Sequence, residues 1–168
     1  IPHKERVLAY LDQVDERALQ IGAVNTIVNQ DGHLCGYNTD ASGFLASLGS
    51  VGFDTKGKRV VMMGAGGAAR AVAVALVHAG ASRIDISNRS LNRAESLADD
   101  LRKIGADVDV CDYGVCFFKA VQNADLLVNA TPVGMYPNHE DAPLIMRDRL
   151  PPHLLVCGGL YTKSQTKR

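Results

Sequence analysis

From residue 58 onward the chain alternates short apolar runs with longer segments whose apolar residues recur every three or four positions. KRVVMMG reads as a buried strand, and GGAARAVAVALVHAG as a helix closed by Gly80. SRIDISN is a second strand, and LNRAESLADDLRKIG an amphipathic helix ending at Gly105. DVDVCD is a third strand, VCFFKAVQNA a helix, DLLVNAT a fourth strand and HLLVCGGLY a fifth. Strand and helix in strict turn predict an α/β fold built on a doubly wound parallel sheet.

The first fifty residues are less regular. KERVLAYLD (residues 4–12) predicts a helix with Val7, Leu8 and Leu11 on one face. GAVNTIV and HLCGYN are short strands separated by NQDG, a hairpin signal. DASGFLASL opens a further helix with Asp40 at its N-cap, and SVGFDTKGK is a polar, glycine-rich linker. The chain therefore divides into an entry segment, 1–50, and a main domain, 51–168.

Composition narrows the function classes. At 46% hydrophobic and 21% charged residues, a chain of 168 residues can build a proper core and is no disordered segment. Eighteen basic residues balance eighteen acidic ones, so bulk charge points to neither nucleic acid nor a membrane surface. The stretch from Val60 to Ala81 is broken by Arg70 and crowded with glycine, which argues against a membrane span. IPHKERV lacks the apolar core of a signal peptide. Cys35, Cys111, Cys116 and Cys157 form no C-x-x-C pair, and neither they nor the five histidines show metal-ligand spacing. Reduced thiols in a cytoplasmic protein, with no metal, are the expectation.

The first strand of the main domain runs straight into GAGGAA, which opens a helix. Gly64, Gly66 and Ala69 fit the G-x-G-x-x-G/A template: a tight turn, close backbone approach to a pyrophosphate, and close packing of helix on strand. Gly64, Ala65, Gly66, Gly67 and Ala68 are thus candidate cofactor residues in a Rossmann-like domain, facing phosphates with backbone N–H groups. The end of the second strand decides which dinucleotide. NAD calls for a carboxylate there, but Asp85 lies too far inside the strand, and the exit carries Asn88, Arg89, Ser90 and, one turn on, Arg93. Two guanidiniums and a hydroxyl suit a 2′-phosphate, so NADP is expected. Thr131, Pro132, Val133 and Met135, after the fourth strand, are expected to line the cleft near the nicotinamide.

Three early motifs, IPHK, GAVNT and GYNTD, together with GAGGAARA, NRSLNRAESLA and DLLVNATPVGM, resemble the shikimate dehydrogenase family over most of the chain. The resemblance implies reversible, NADP-dependent reduction of 3-dehydroshikimate to shikimate, in aromatic amino-acid and chorismate biosynthesis. It also implies that residues 1–50 are the C-terminal part of a substrate-binding domain in front of the cofactor domain. By position, Lys4 becomes the catalytic lysine with Asp40 as its partner, Asn25 holds a substrate hydroxyl, and Tyr161 reaches the same cleft. The chemistry agrees, because hydride addition to a ketone builds negative charge on oxygen that an ammonium can stabilise and protonate. The partner is then a small molecule, with no nucleic acid or membrane and a monomeric or homodimeric state.

The chain also departs from the family. It starts at Ile1, inside a motif whose preceding Thr touches substrate in the family, and carries Gly158, Thr162 and Lys163 where an acidic residue and Asn-Pro are usual. With the end at Arg168 before the family's closing helix, these features predict a fragment that binds cofactor but turns over little by itself. Three other readings stand beside it. One is an NAD-using quinate/shikimate dehydrogenase, against which the Arg89/Arg93 pair argues, and another is a non-catalytic NADP-binding module. The third, a relative of glutamyl-tRNA reductase, needs an upstream nucleophilic cysteine and leaves GYNTD without an account.

Overall fold

The computed structural model describes residues 3–133 and 150–158. The entry segment folds as β1 (Gln13–Val14), α1 (Glu16–Ile21), β2 (Thr26–Gln30), β3 (His33–Tyr37) and α2 (Asp40–Ser50), with its strands in the order β1-β3-β2. The β2–β3 hairpin turns on Asp31 and Gly32, both at positive φ (53° and 94°), as a two-residue turn matching strand twist demands. Asn29 Oδ1 accepts the Gly32 N–H at 2.8 Å and braces the turn.

The main domain continues as β4 (Arg59–Met63), α3 (Gly67–His78), β5 (Arg83–Ser87), α4 (Leu91–Lys103), β6 (Val108–Cys111), α5 (Val115–Gln122), β7 (Leu126–Asn129) and β8 (Leu155–Gly158). All five strands are parallel, in the order β6-β5-β4-β7-β8. The chain steps outward from β4 through β5 to β6, then returns to lay β7 against the other side of β4. The order therefore reverses between β4 and β7, and a crevice opens beyond the carboxyl ends of those two strands.

Both faces of this sheet are covered, which explains the unbroken apolar runs in its strands. Val60, Met62, Ile84, Ile86, Leu126 and Val128 pack with α3 and α4 on one face. Val61, Met63, Phe117, Val121 and Leu127 form the second cluster, under α5. Ile21 of α1 and Phe44 and Leu48 of α2 are buried in the first cluster, against the outer side of α3. The entry segment thus shares a core with the helix that follows the glycine turn, and this packing sets where its polar motifs sit. Among the described residues no helix is long and apolar enough to cross a membrane.

Two local expectations need correction. The helix predicted over residues 4–12 is only a five-residue 3₁₀ turn, Arg6–Tyr10, with no buried side chain. Leu11 is already extended, because Asp12 is captured by β3: its N–H donates to the Leu34 carbonyl (3.0 Å) and its Oδ2 accepts the Leu34 N–H (2.7 Å). Asp40 is not the cap of α2. Thr39 holds that position without a side-chain cap bond, and Asp40 is the first helical residue. Helix α1 was not anticipated, although its Asp15 cap, which accepts from Arg17 and Ala18 N–H, and its left-handed Gly22 are ordinary start and stop signals. The fifth strand of the main domain is present through Gly158, and its remainder lies outside the described residues.

Candidate active site

The glycine turn is shaped by two different needs. Gly64 has φ 109°, and a Cβ there would sit 2.8 Å from the Ala130 carbonyl oxygen at the β7 exit. Its N–H donates to the Ser87 carbonyl at 2.8 Å, so the chain leaves β4 wedged between the ends of its two neighbours. Only glycine fits. Gly64→Ala is expected to lower the unfolding free energy by about 2–3 kcal/mol, from left-handed strain plus overlap with backbone. Denaturant unfolding with an unchanged midpoint would disprove that account.

Gly66 is a different case. It precedes α3 at an ordinary φ of −92°, makes no side-chain cap, is exposed, and has no atom within 4 Å of where its Cβ would lie. The space it leaves open faces the uncapped N–H groups of α3, whose first turn carries no acidic residue. No other described residue uses that space, and an anionic ligand would.

Around this turn lies a cavity of about 210 Å³. Gly64, Ala65 and Gly66 form one wall, Asn88, Arg89 and Arg93 a second, and Thr131, Pro132 and Val133 a third. These nine candidates come together. Gly67, Ala68 and Ser90 flank the cavity along the chain without lining it, and Ser90 serves the site indirectly: its carbonyl accepts Asn88 Nδ2 at 2.9 Å and fixes the β5 exit. Met135 and Tyr161 lie outside the described residues. Met63, Ala130 and Tyr113 complete the lining and were missed by sequence reasoning. For Tyr113 the available signal was its place, an aromatic between the third strand of the main domain and the next helix.

The charges favour an anion. Arg89 and Arg93 are exposed, one just before and one within the first turn of α4, and neither guanidinium makes an ion pair or hydrogen bond with another described residue. Asp85 is buried and engaged by Arg83, whose Nε lies 3.1 Å from its Oδ1, so no carboxylate reaches the β5 exit. A described site with two free guanidiniums, an open glycine turn and a helix N-terminus fits a dinucleotide carrying a 2′-phosphate.

The second group of polar residues sits at the junction of the entry strands with α2. Lys4 Nζ donates to Asp40 Oδ2 at 2.6 Å, and Asn25 Nδ2 donates to Asp40 Oδ1 at 2.8 Å. Asn25 Oδ1 in turn accepts from Thr26 Oγ1 (2.9 Å), the Thr39 N–H (3.0 Å) and Thr39 Oγ1 (3.2 Å). A flipped amide would set NH₂ against the Thr39 N–H and oxygen against the Asp40 carboxylate, so Asn25 can only donate toward the site. Asn38 ties the two motifs together: its Nδ2 donates to the Ala23 carbonyl and its Oδ1 accepts the Asp40 N–H, both at 3.0 Å.

Backbone pairing delivers these side chains. Val24 N–H donates to the Lys4 carbonyl (2.8 Å) and Asn25 N–H to the Tyr37 carbonyl (3.0 Å), which lays IPHK beside GAVNT and GAVNT beside GYNTD. Gly36 is required in the last of these, because a Cβ there would overlap the side chains of Leu11 and Val24. The Lys4 and Asp40 side chains are 38% and 39% exposed, accessible to a small molecule yet held. The cluster borders the glycine turn, since a Cβ on Gly67 would lie 3.9 Å from Glu5 Oε1, next in sequence to Lys4. Burial pushes the Cys111 thiol up to about 12 and raises that of Cys157, so these two remain thiols rather than thiolates.

Residues 47–139 match the family described as Shikimate / quinate 5-dehydrogenase, and residues 1–27 match the shikimate dehydrogenase substrate binding domain. Shikimate dehydrogenase (NADP(+)) of Symbiobacterium thermophilum is 49% identical over 170 residues, covering 99% of this chain and 58% of that protein. Its counterpart in Moorella thermoacetica is 51% identical over 171 residues, covering 99% and 57%. The structure of shikimate 5-dehydrogenase from Listeria monocytogenes in complex with shikimate and NAD aligns at a TM-score of 0.90 with 32% identity, over 99% of this chain and 60% of that one. Shikimate 5-dehydrogenase from Thermus thermophilus, in complex with NADP(H) and shikimate, aligns at 0.78 with 37% identity, over 94% and 55%. The chain thus spans about 58% of the length of the curated relatives it matches.

Proposed function

The chain belongs to the shikimate dehydrogenase family, and from that premise we propose that the polypeptide is an oxidoreductase that interconverts 3-dehydroshikimate and shikimate with NADP. The observation that carries this reading is the Lys4–Asp40–Asn25 cluster beside the glycine turn. Residues 1–50 are then the end of a substrate-binding domain and 51–168 the cofactor domain. Four free thiols fit a cytoplasmic enzyme.

The roles follow from the donors and acceptors. When bound, the reduced cofactor, NADPH, would supply a hydride to the substrate carbon, and NADP(+) would accept it in the reverse direction. As negative charge grows on the substrate oxygen, the Lys4 ammonium stabilises it and delivers the proton; in the oxidative direction it takes that proton back. Asp40 holds Lys4 in place through Oδ2 and keeps its positive charge matched. Asn25 presents its amide N–H groups, one to Asp40 and one to a ring hydroxyl oxygen. Arg89 and Arg93 bind the 2′-phosphate and thereby select NADP over NAD.

Cofactor selection is testable on its own. Arg89→Ala should weaken NADP binding by roughly 10- to 150-fold, the equivalent of about 1.5–3 kcal/mol for a charge-assisted contact, and leave NAD binding nearly unchanged. Equal losses for both dinucleotides in calorimetric titration would overturn the assignment. Turnover of shikimate with NADP by the full polypeptide tests the reaction itself, and quinate oxidation with NAD in its place would refute it.

A further inference from the structure

Tyr113 has no part in the roles assigned so far, yet its surroundings restrain it closely. Its hydroxyl donates to the Ser87 carbonyl at 3.2 Å, the same oxygen that accepts the Gly64 N–H at 2.8 Å. Its ring meets the buried Phe117 edge-on, with centroids 5.6 Å apart and planes at 61°. Burial raises its pKa, so the phenol stays protonated and keeps donating. The ring is half-buried, restrained at its hydroxyl and its edge, and lines the cavity around the glycine turn, where a flat group could rest against it.

The order of the strands says what that is. The cavity collects the exits of β4, β5, β6 and β7, and in the sheet β5 and β6 lie on the opposite side of β4 from β7. Arg89 and Arg93 leave β5, and Tyr113 leaves β6, one strand further out. If the guanidiniums take a ribose 2′-phosphate, the base on that ribose extends away from the glycine turn, toward the β6 exit. Arg89 and Tyr113 line the same cavity, so ring and guanidinium border the same space. At about 210 Å³ the enclosed part is smaller than the roughly 300–1,000 Å³ of a whole-ligand site, so a flat fixed wall matters for the part that lies in the open.

We propose that Tyr113 is the platform on which the purine ring of the bound nucleotide stacks, with Arg89 beside it. The inference rests on the cofactor reading above and adds a binding residue to it. Through the Ser87 carbonyl, which accepts from both Tyr113 and Gly64, the platform is braced against the glycine turn. A stacking aromatic typically supplies between fivefold and 150-fold of affinity for a base, at about 1–3 kcal/mol.

The test measures binding and needs no turnover. Adenosine 2′,5′-bisphosphate and inorganic pyrophosphate, which lacks the base, are titrated into the 168-residue chain and three variants. Tyr113→Ala should weaken the bisphosphate about tenfold or more, and Tyr113→Leu, which keeps apolar volume under the loop, at least about fivefold. Tyr113→Phe keeps the ring and should stay within about threefold, while pyrophosphate should bind all variants within about twofold of the unsubstituted chain. Bisphosphate affinity unchanged in Tyr113→Leu overturns the proposal. So does a parallel loss for both probes, which would mean that Tyr113 only pins its loop. Failure of the unsubstituted chain to bind the bisphosphate would overturn the cofactor reading itself, and this inference with it.

Discussion

Lys4→Ala should lower kcat for shikimate oxidation by roughly 10²–10⁴-fold in the full polypeptide, the range for loss of a positioned proton-transfer group. NADP affinity should barely move, because the Lys4 ammonium is bonded to Asp40 and does not line the cavity around the glycine turn. Asp40→Asn should act in the same direction. It removes the charge that holds Lys4 and leaves an amide whose NH₂ meets either Lys4 or Asn25, both donors. The two substitutions remove one unit, so the double variant should lose far less than the product of the single effects. Steady-state kinetics with NADP titrated separately decide the matter. Near-normal kcat in Lys4→Ala would show that proton transfer runs through another group.

Gly66→Val should abolish dinucleotide binding, a loss of more than about 100-fold, while the sheet stays folded. The backbone at Gly66 has an ordinary φ, and an added Cβ there meets no described residue within 4 Å beyond its chain neighbours. Unfolding should therefore shift by no more than about 1 kcal/mol, the scale of a change at an N-cap. The added isopropyl group occupies the open space in front of the uncapped N–H groups of α3. Gly64→Ala makes the contrast, since there the clash is with the protein's own backbone and the damage falls on stability. Unaltered NADP affinity in a folded Gly66→Val chain would mean that the turn is structural only.

Much of the architecture was legible because it depends on short-range pattern. In β4, α3 and β5 each residue's neighbours along the chain already declare the element: a buried run, a 3.6-residue stripe, then Gly80 as a stop. The glycine turn could be read for the same reason, since its strand, turn and helix are contiguous. The Arg89/Arg93 exit followed from its fixed offset after the turn. The hairpin at Asp31–Gly32 was visible because its conformation needs residues that tolerate positive φ.

What the pattern missed depended on partners far away in sequence. The helix expected over residues 4–12 competes with pairing to β3, and capture of Asp12 by Leu34, 22 residues on, decides for the extended chain. Asp40 looked like a cap because an acidic residue before a helical stripe usually is one. Its carboxylate instead binds Lys4, 36 residues back, and Asn25, 15 back. Lys4 and Asp40 could be paired from family resemblance, but the bond between them and the fixed polarity of the Asn25 amide appear only once β3 has brought GAVNT and GYNTD together. Tyr113 carried only its place between strand and helix as a signal: an aromatic beside an apolar helix reads as core until sheet order puts it one strand beyond the arginines. The sequence by itself determined the strands and helices of the main domain and its glycine turn, because propensity, periodicity and turn chemistry act over a few residues. The tertiary structure alone decided which side chains meet, because that choice is made by strand order and core packing between segments that sequence does not bring near.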